Sequence, residues 1–581
     1  MTSANTYKAA TIQFEPTMFE KERNVSRLLE LARAAASEGA RLIVTPEMGT
    51  TGYCWFDRAE VKPYVETVPG PTTDRFQKLA SEFGCYIVLG MPEVDADTDL
   101  YFNTAVLIGP KGVVGKHRKS HPYISEPKWA ASGDVGHAVF DTEIGRVAML
   151  ICMDIHFFET ARLDALGGAD VICHISNWLA ERAPAPYWIN RAFENACYVI
   201  ESNRWGLERT VQFSGGSCII EPDGNVAAVI DSGDGIVYGT VDLAFARRRE
   251  VLAEPVFKGR RPDLYMNLMT NSFTWNPNDF FRLYGYQPLP PGRKSRAAVV
   301  QFAPADDVGE NVARIAALAK ATVEREAPDL IVFPELSLTG LGDPASRAQP
   351  ITGDAVTQLV KLAMRLKVYL VAGLAERNED GCYNTAVLAG PEGLVGSYRK
   401  IHLNAADKAW AKAGADWKVF DLPIGRTGLL IGHDALFPEA VRALSLLGCD
   451  LVACPAAIAG RFTGAHGGTS IRHNYPIPAG ADPYHWHAFR VRGGESNVYF
   501  AFANVIDPAR GFPGLSAVFG PDSFAFPRQE SAILEGEEGF TATSIDTSNL
   551  DTPYPTNVVR RKDLVVMRLP HHYGALVKWH Q

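Results

Sequence analysis

Three side chains able to do nucleophilic chemistry each follow an apolar run in the first half of this chain. Glu47 follows Leu42-Ile-Val-Thr-Pro46, Lys119 follows the segment Thr104 to His117, and Cys152 closes Val147-Ala-Met-Leu-Ile151. A thiol with an ordinary pKa near ~8.5 is mostly protonated at neutral pH, so it needs a carboxylate base or a cation beside it before it can attack. Glu47 would be that base, taking the thiol proton. Any one of the three can be a solvated strand tip; their joint occurrence points to a site. Past Cys152 the chain turns, because Glu159-Thr-Ala-Arg-Leu-Asp-Ala-Leu has helical spacing and Gly167-Gly168 closes it. A strand-to-helix turn lifts a nucleophile above a sheet edge and aims the following backbone N–H groups at what it attacks.

The elements that must position these groups alternate. Strand patterns at Ala9 to Phe14, Leu42 to Thr45, Tyr86 to Met91, Thr104 to Ile108, Val147 to Ile151 and Val171 to Ile175 are interleaved with helical spacing at Asn24 to Ala36 and Thr73 to Phe83. This is layered α/β architecture. It occurs twice: Gln13-Phe14 and Thr45-Pro-Glu47 return 288 positions later as Gln301-Phe302 and Phe333-Pro-Glu335. Asn103-Thr-Ala-Val-Leu returns as Asn384-Thr-Ala-Val-Leu, Lys119 as Lys400, and Arg260-Arg-Pro-Asp-Leu264 as Arg560-Arg-Lys-Asp-Leu564. The chain therefore reads as two tandem copies, residues 1–290 and 294–581, joined by the stiff connector Gln287-Pro-Leu-Pro-Pro-Gly-Arg293. In the second copy Gly432 stands where Cys152 falls and Asp407 where Glu126 falls, so that copy is expected to be catalytically dead.

Pro46-Glu47 with Gly52-Tyr53, Arg118-Lys119 with His121, and Ile151-Cys152-Met-Asp154 with Phe157 and Glu159 resemble the Glu-Lys-Cys signature of the nitrilase superfamily of carbon–nitrogen hydrolases. The resemblance implies an αββα four-layer sandwich, cofactor-free hydrolysis through a thioester, and assembly through helical faces. It also places an auxiliary glutamate at Glu126, to orient Lys119 or the attacking water. Lys119 and the backbone N–H of Met153 would then hold the oxyanion, a role in which one donor is worth on the order of 3 to 4 kcal/mol. Tyr53, Trp55, His121, Trp129, Asn177 and Trp178 are the expected pocket walls, which suits a small, partly apolar or planar substrate. Cys-Met-Asp with Phe157 and Glu159 looks closer to the amidase and carbamoylase branches than to nitrile hydrolysers, although Phe158 stands where those usually have proline. A linear amide or N-carbamoyl substrate is the leading expectation, with nitrile hydrolysis at the same cysteine, or a non-catalytic binding or scaffold role, as rivals. Fusion of the copies would make an internal pseudo-dimer, with further homo-oligomers open.

Composition narrows the rest. The 581 residues are 46% hydrophobic and 21% charged, ample for a core, and a net charge of −9 argues against a nucleic-acid surface or an anionic membrane as partner. No long apolar run or basic leader is visible, so a cytoplasmic location is expected. Nine cysteines without paired spacing fit reduced thiols, and with no Cys-x-x-Cys the expectation is no metal.

Overall fold

In the computed structural model the apolar runs become the strands of two sheets in each copy; residues 5–179, 183–270, 289–460, 487–521, 534, 536–548 and 558–579 are described. The chain start and residues 287–288 of the connector lie outside them. In the first copy the strands are β1 (Thr6–Gln13), β2 (Ala40–Val44), β3 (Tyr86–Val94), β4 (Tyr101–Gly109), β5 (Gly112–Arg118), β6 (Phe140–Thr142), β7 (Gly145–Ile151), β8 (Val171–Ser176), β9 (Tyr198–Asn203), β10 (Cys218–Ile220), β11 (Val226–Val229) and β12 (Gly235–Asp242). One six-stranded sheet has the order β12-β1-β2-β3-β4-β5, the other β11-β10-β9-β8-β7-β6.

The sheets pack face to face, β1 against β9 and β4 against β7. Buried strands need partners for any polar group they carry. Accordingly, Thr11 on β1 donates to the Glu201 carbonyl and Ser202 on β9 donates to the Ile12 carbonyl, each at 2.7 Å. Helices α1 (Lys21–Ser37) and α2 (Pro71–Phe83) cover the outer face of the first sheet, burying Val25, Leu28, Ala32, Phe76 and Leu79 against Ile43, Ile87 and Val106. α1 begins where it does because buried Asn24 accepts from Thr17 N (2.9 Å) and donates to Thr17 O (2.8 Å). Helices α3 (Phe158–Leu166) and α4 (Pro186–Asn195) belong to the second sheet's side, and every described face of α4 is buried. The four layers are helix, sheet, sheet, helix.

The second copy repeats this with β13 (Lys294–Gln301), β14 (Leu330–Val332), β15 (Tyr369–Asn378), β16 (Gly381–Gly390), β17 (Gly393–Arg399), β18 (Val419–Leu422), β19 (Gly425–Leu429), β20 (Leu451–Ala456), β21 (Tyr499–Asn504), β22 (Ala517–Phe519) and β23 (Gly539–Asp546). Their orders are β23-β13-β14-β15-β16-β17 and β18-β19-β20-β21-β22. Asn311 holds Ala305 as Asn24 holds Thr17.

The change from one compact unit to the other falls at Phe257/Lys258, ahead of the proline-rich connector. The reason is that residues 258–270 pack on the second copy. Arg260 reaches Glu439 at 2.9 Å, Trp417 Nε1 donates to Leu264 O at 2.8 Å, and Arg568 donates to the carbonyls of Leu268 and Thr270, each at 2.9 Å. Tyr265 and Leu268 are fully buried there. A chain ending at residue 290 carries this segment without its surface. Residues 1–290 alone are therefore expected to be insoluble or poorly active in ammonia release, and residues 294–581 supplied in trans should restore activity; a soluble, fully active first half would overturn this.

Candidate active site

Glu47 is carried by the turn that follows β2. That turn lies so close to β3 that a Cβ on Gly90 would come within 2.2 Å of Pro46 O and 2.9 Å of Glu47 Cα, so only glycine fits. Gly373 is in the same position against Glu335. Lys119 leaves β5 with its N–H on Asn103 O and its carbonyl accepting from Gly133 N, both at 2.8 Å. Behind it Arg118 pairs with Glu93 (2.6 Å), Asp95 (2.8 Å) and Asp134 (2.9 Å), tying the ends of β3 and β5 together. Glu126 opens a short 3-10 turn, Glu126–Lys128, and accepts from Tyr123 N at 2.6 Å.

These groups converge. Lys119 Nζ lies 2.8 Å from Glu47 Oε1 and 2.6 Å from Glu126 Oε2, with all three side chains essentially inaccessible. Asn103 Nδ2 bridges the carboxylates, 2.6 Å from each. Tyr53 Oη donates to Glu126 at 3.2 Å. Oε2 of Glu47 finds no partner among the described residues and is the free lone pair of the cluster.

Cys152 follows β7 and opens the 3-10 turn Cys152–His156 that leads into α3; it is 7% exposed and has φ 46°. Asp154 shapes this turn. Its carboxylate accepts from Ile151 N (3.1 Å), His121 N (2.9 Å) and Ser120 Oγ (2.8 Å), and contacts His117 Nε2 (2.9 Å) and His121 Nδ1 (3.1 Å). Its pKa is held well below the carboxylate range: burial opposes this, but hydrogen bonds from His117 and His121 prevail.

The electrostatics fit proton transfer from thiol to carboxylate. Burial, then the charge of Glu47, pushes the Cys152 thiol well up, with Lys119 pulling the other way. Burial also raises Glu47; Lys119 opposes this and Glu126 adds to it. For Lys119 burial works against the charge, but Glu126 and Glu47 outweigh it and hold the ammonium firmly protonated. The resting thiol is thus neutral, and the carboxylate beside it is a stronger base than an exposed glutamate.

The other expected wall residues take individual places. His121 stacks on Phe157 with ring centroids 3.7 Å apart, leaving buried Nε2 without a partner among the described residues. Asn177 Nδ2 donates to Glu47 O at 3.1 Å, so it positions the base, and its Oδ1 remains unpartnered among the described residues. Trp178 stacks on His156 at 4.8 Å and meets Trp188 edge-on at 5.2 Å. Trp129 and Trp55 pack with Met48, Tyr53 and Phe213 in an apolar cluster beside the loop that carries Glu47. Met153, next to the nucleophile, is buried.

Sequence reasoning missed four residues. Asn103 stood just ahead of the strand pattern Thr104 to Ile108, although its repetition as Asn384 was visible. Glu208, paired with Arg204, accepts from the N–H groups of Tyr53 (2.8 Å) and Cys54 (2.6 Å), a long-range anchor with no local signal. His174 sits inside the strand pattern Val171 to Ile175, and Glu201 on β9, a strand the sequence pattern did not single out. Among the described residues no cluster of three or more His, Cys, Asp or Glu is arranged to hold a metal, and no helix is long and apolar enough to cross a membrane.

In the second copy Lys400 bridges Glu335 (2.7 Å) and Asp407 (2.6 Å), and Asn384 contacts both. There, however, Glu335 Oε2 accepts from Ala457 N at 2.9 Å, and a Cβ on Gly432 would lie 2.4 Å from that oxygen. The carboxylate occupies the space a nucleophile would need. His433 is buried, pushed down to about 3 by desolvation and Lys400, so it is neutral.

The layered sheets with Glu, Lys and Cys meeting at strand ends are those of a carbon–nitrogen hydrolase, and the chain belongs to that family: its profile matches residues 8–250 and again 296–523. It is an amidohydrolase of the nitrilase superfamily. Over 261 residues it is 36% identical to a nitrilase of Pyrococcus abyssi, covering 44% of this chain and 98% of that protein. Over 276 residues it is 30% identical to the human omega-amidase NIT2, covering 45% and 96%. Among solved structures, Saccharomyces cerevisiae Nit3 of the nitrilase superfamily is similar at 25% identity and a TM-score of 0.38, covering 42% of this chain and 93% of that one.

Proposed function

We propose that the first copy hydrolyses a small linear amide or N-carbamoyl compound at Cys152 and releases ammonia. The observation that carries this reading is the buried Lys119 bridging Glu47 and Glu126 beside a thiol whose proton Glu47 can accept. Sγ attacks the carbonyl carbon as its proton passes to Glu47. The oxyanion is held by Lys119 and the Met153 N–H while the C–N bond breaks and Glu47 returns the proton to the leaving nitrogen. Water then adds to the thioester with Glu47 again as base, and the thiol is expelled. Glu126 keeps Lys119 aimed. Tyr53, His121, Trp129, Asn177 and Trp178 are the residues offered as substrate contacts: with the His121 Nδ1 hydrogen on Asp154, its Nε2 and the Asn177 Oδ1, both without a partner among the described residues, can accept from an amide's N–H groups. The similarity to a protein named nitrilase favours a second reading, nitrile hydrolysis at the same cysteine.

The experiment is ammonia release by the full chain from a panel of aliphatic amides, N-carbamoyl amino acids and nitriles. Turnover of amides or carbamoyl compounds is expected; nitrile turnover alone would transfer the assignment, and no release from any would leave a binding role.

A further inference from the structure

A second polar assembly lies under the nucleophile and takes no part in the chemistry described so far. His174 on β8 and Glu201 on β9 face one another in register and are both fully buried. His174 Nδ1 contacts Glu201 Oε2, and Ser176 Oγ donates to the other carboxyl oxygen. His174 Nε2 lies 3.0 Å from the carbonyl oxygen of Cys152. A carbonyl can only accept, so Nε2 carries the hydrogen, and the carboxyl group on Nδ1 fixes that orientation.

The Cys152 carbonyl and the Met153 N–H are the two ends of one peptide group. A hydrogen bond donated to the oxygen of an amide polarises it and makes its N–H a stronger donor. We propose that the His174–Glu201 pair is a positioning assembly for the oxyanion donor: through the Cys152 carbonyl it fixes and polarises the peptide whose N–H, at Met153, receives the developing negative charge. The proposal rests on the Cys152 hydrolase reading.

The chain contains its own control. In the second copy the same register places Cys454 opposite Phe502, so both members of the pair are absent where Gly432 stands in place of the nucleophile. Asn384, Glu335, Lys400, His402 and Asp434, the counterparts of Asn103, Glu47, Lys119, His121 and Asp154, all remain. A pair needed only to hold the sandwich together would have reason to persist in both copies. It has gone with the nucleophile, while the framework has stayed.

The test compares two reactions of Cys152 in the full chain. Acetylation by p-nitrophenyl acetate puts negative charge on a carbonyl oxygen, whereas alkylation by iodoacetamide displaces iodide and builds no oxyanion. In His174→Leu, acetylation of the Cys152 peptide, followed by mass, should slow at least about tenfold while alkylation stays within about twofold of the unmodified chain. His174→Gln, which keeps a donor, should recover much of the acetylation rate. Glu201→Gln should slow acetylation less than His174→Leu and leave alkylation alone; it carries the test if His174→Leu does not fold. Equal slowing of both reactions would place the effect on the thiol and overturn the proposal, as would no change in either. If the unmodified chain is not acetylated at Cys152 at all, the hydrolase reading itself fails, a different result from an acetylated chain indifferent to His174.

Discussion

Cys152→Ala and Cys152→Ser are expected to abolish turnover and leave the fold intact. Alanine removes the only atom able to form the covalent intermediate, and serine offers a hydroxyl far too weakly acidic for Glu47 to ionise usefully, so loss on the order of 10⁴-fold or more is expected for either. The side chain is small and its turn is held by Asp154 and by the His174 contact to the backbone carbonyl, neither of which touches Sγ. Circular dichroism and melting temperature should therefore match the unmodified chain. The unmodified chain quenched with a turned-over amide should carry an acyl mass on the Cys152 peptide. More than a trace of ammonia release from Cys152→Ala would sink the mechanism.

The second large effect separates the two copies. Glu47→Gln keeps shape and removes the proton acceptor, and should lower kcat by about 10²- to 10⁴-fold. Lys119→Met keeps the stem and removes the charge that holds the oxyanion, and should lower kcat by about 10²- to 10³-fold. Both are losses in kcat more than in KM. Lys119→Met also strips the cation from between two buried carboxylates, so its melting temperature should fall. Glu335→Gln and Lys400→Met disturb an equally buried cluster in the second copy and should also lower melting temperature, yet leave kcat within about twofold. Equal kcat losses from the two sets would show that the second copy takes part in the chemistry.

Much of this was legible in the chain. Glu47, Lys119 and Cys152 stood out because each follows an apolar run, and a strand end is where a buried sheet meets a site. The helices came out close, α1 beginning at Lys21 in place of Asn24, whose side chain ties the helix's first turn to the Thr17 backbone. His174 and Glu201 were hidden for the opposite reason: their partners are each other across the sheet, Ser176 on β8 and Cys152 in the turn after β7, and strand spacing carries no trace of that pairing. The repeat at Arg260 was visible, but not that its segment packs on the second copy, since Glu439, Trp417 and Arg568 lie far along the sequence.

The two copies also differ in what their nucleophile turns cost. Cys152 holds φ 46° and Gly432 φ 38°, the same left-handed backbone. A side chain there is disfavoured by about 1 kcal/mol, while glycine adopts it freely. The first copy therefore stores strain at its reactive residue, and Asp154 and His174 are among the contacts that hold it. Where no nucleophile is needed, glycine at such a turn is favoured by its backbone freedom, and Gly432 gives the second copy the same turn without the strain. Glu335 Oε2 fills the space a side chain at 432 would need, so Gly432→Cys is expected to bring strain and a clash without bringing activity.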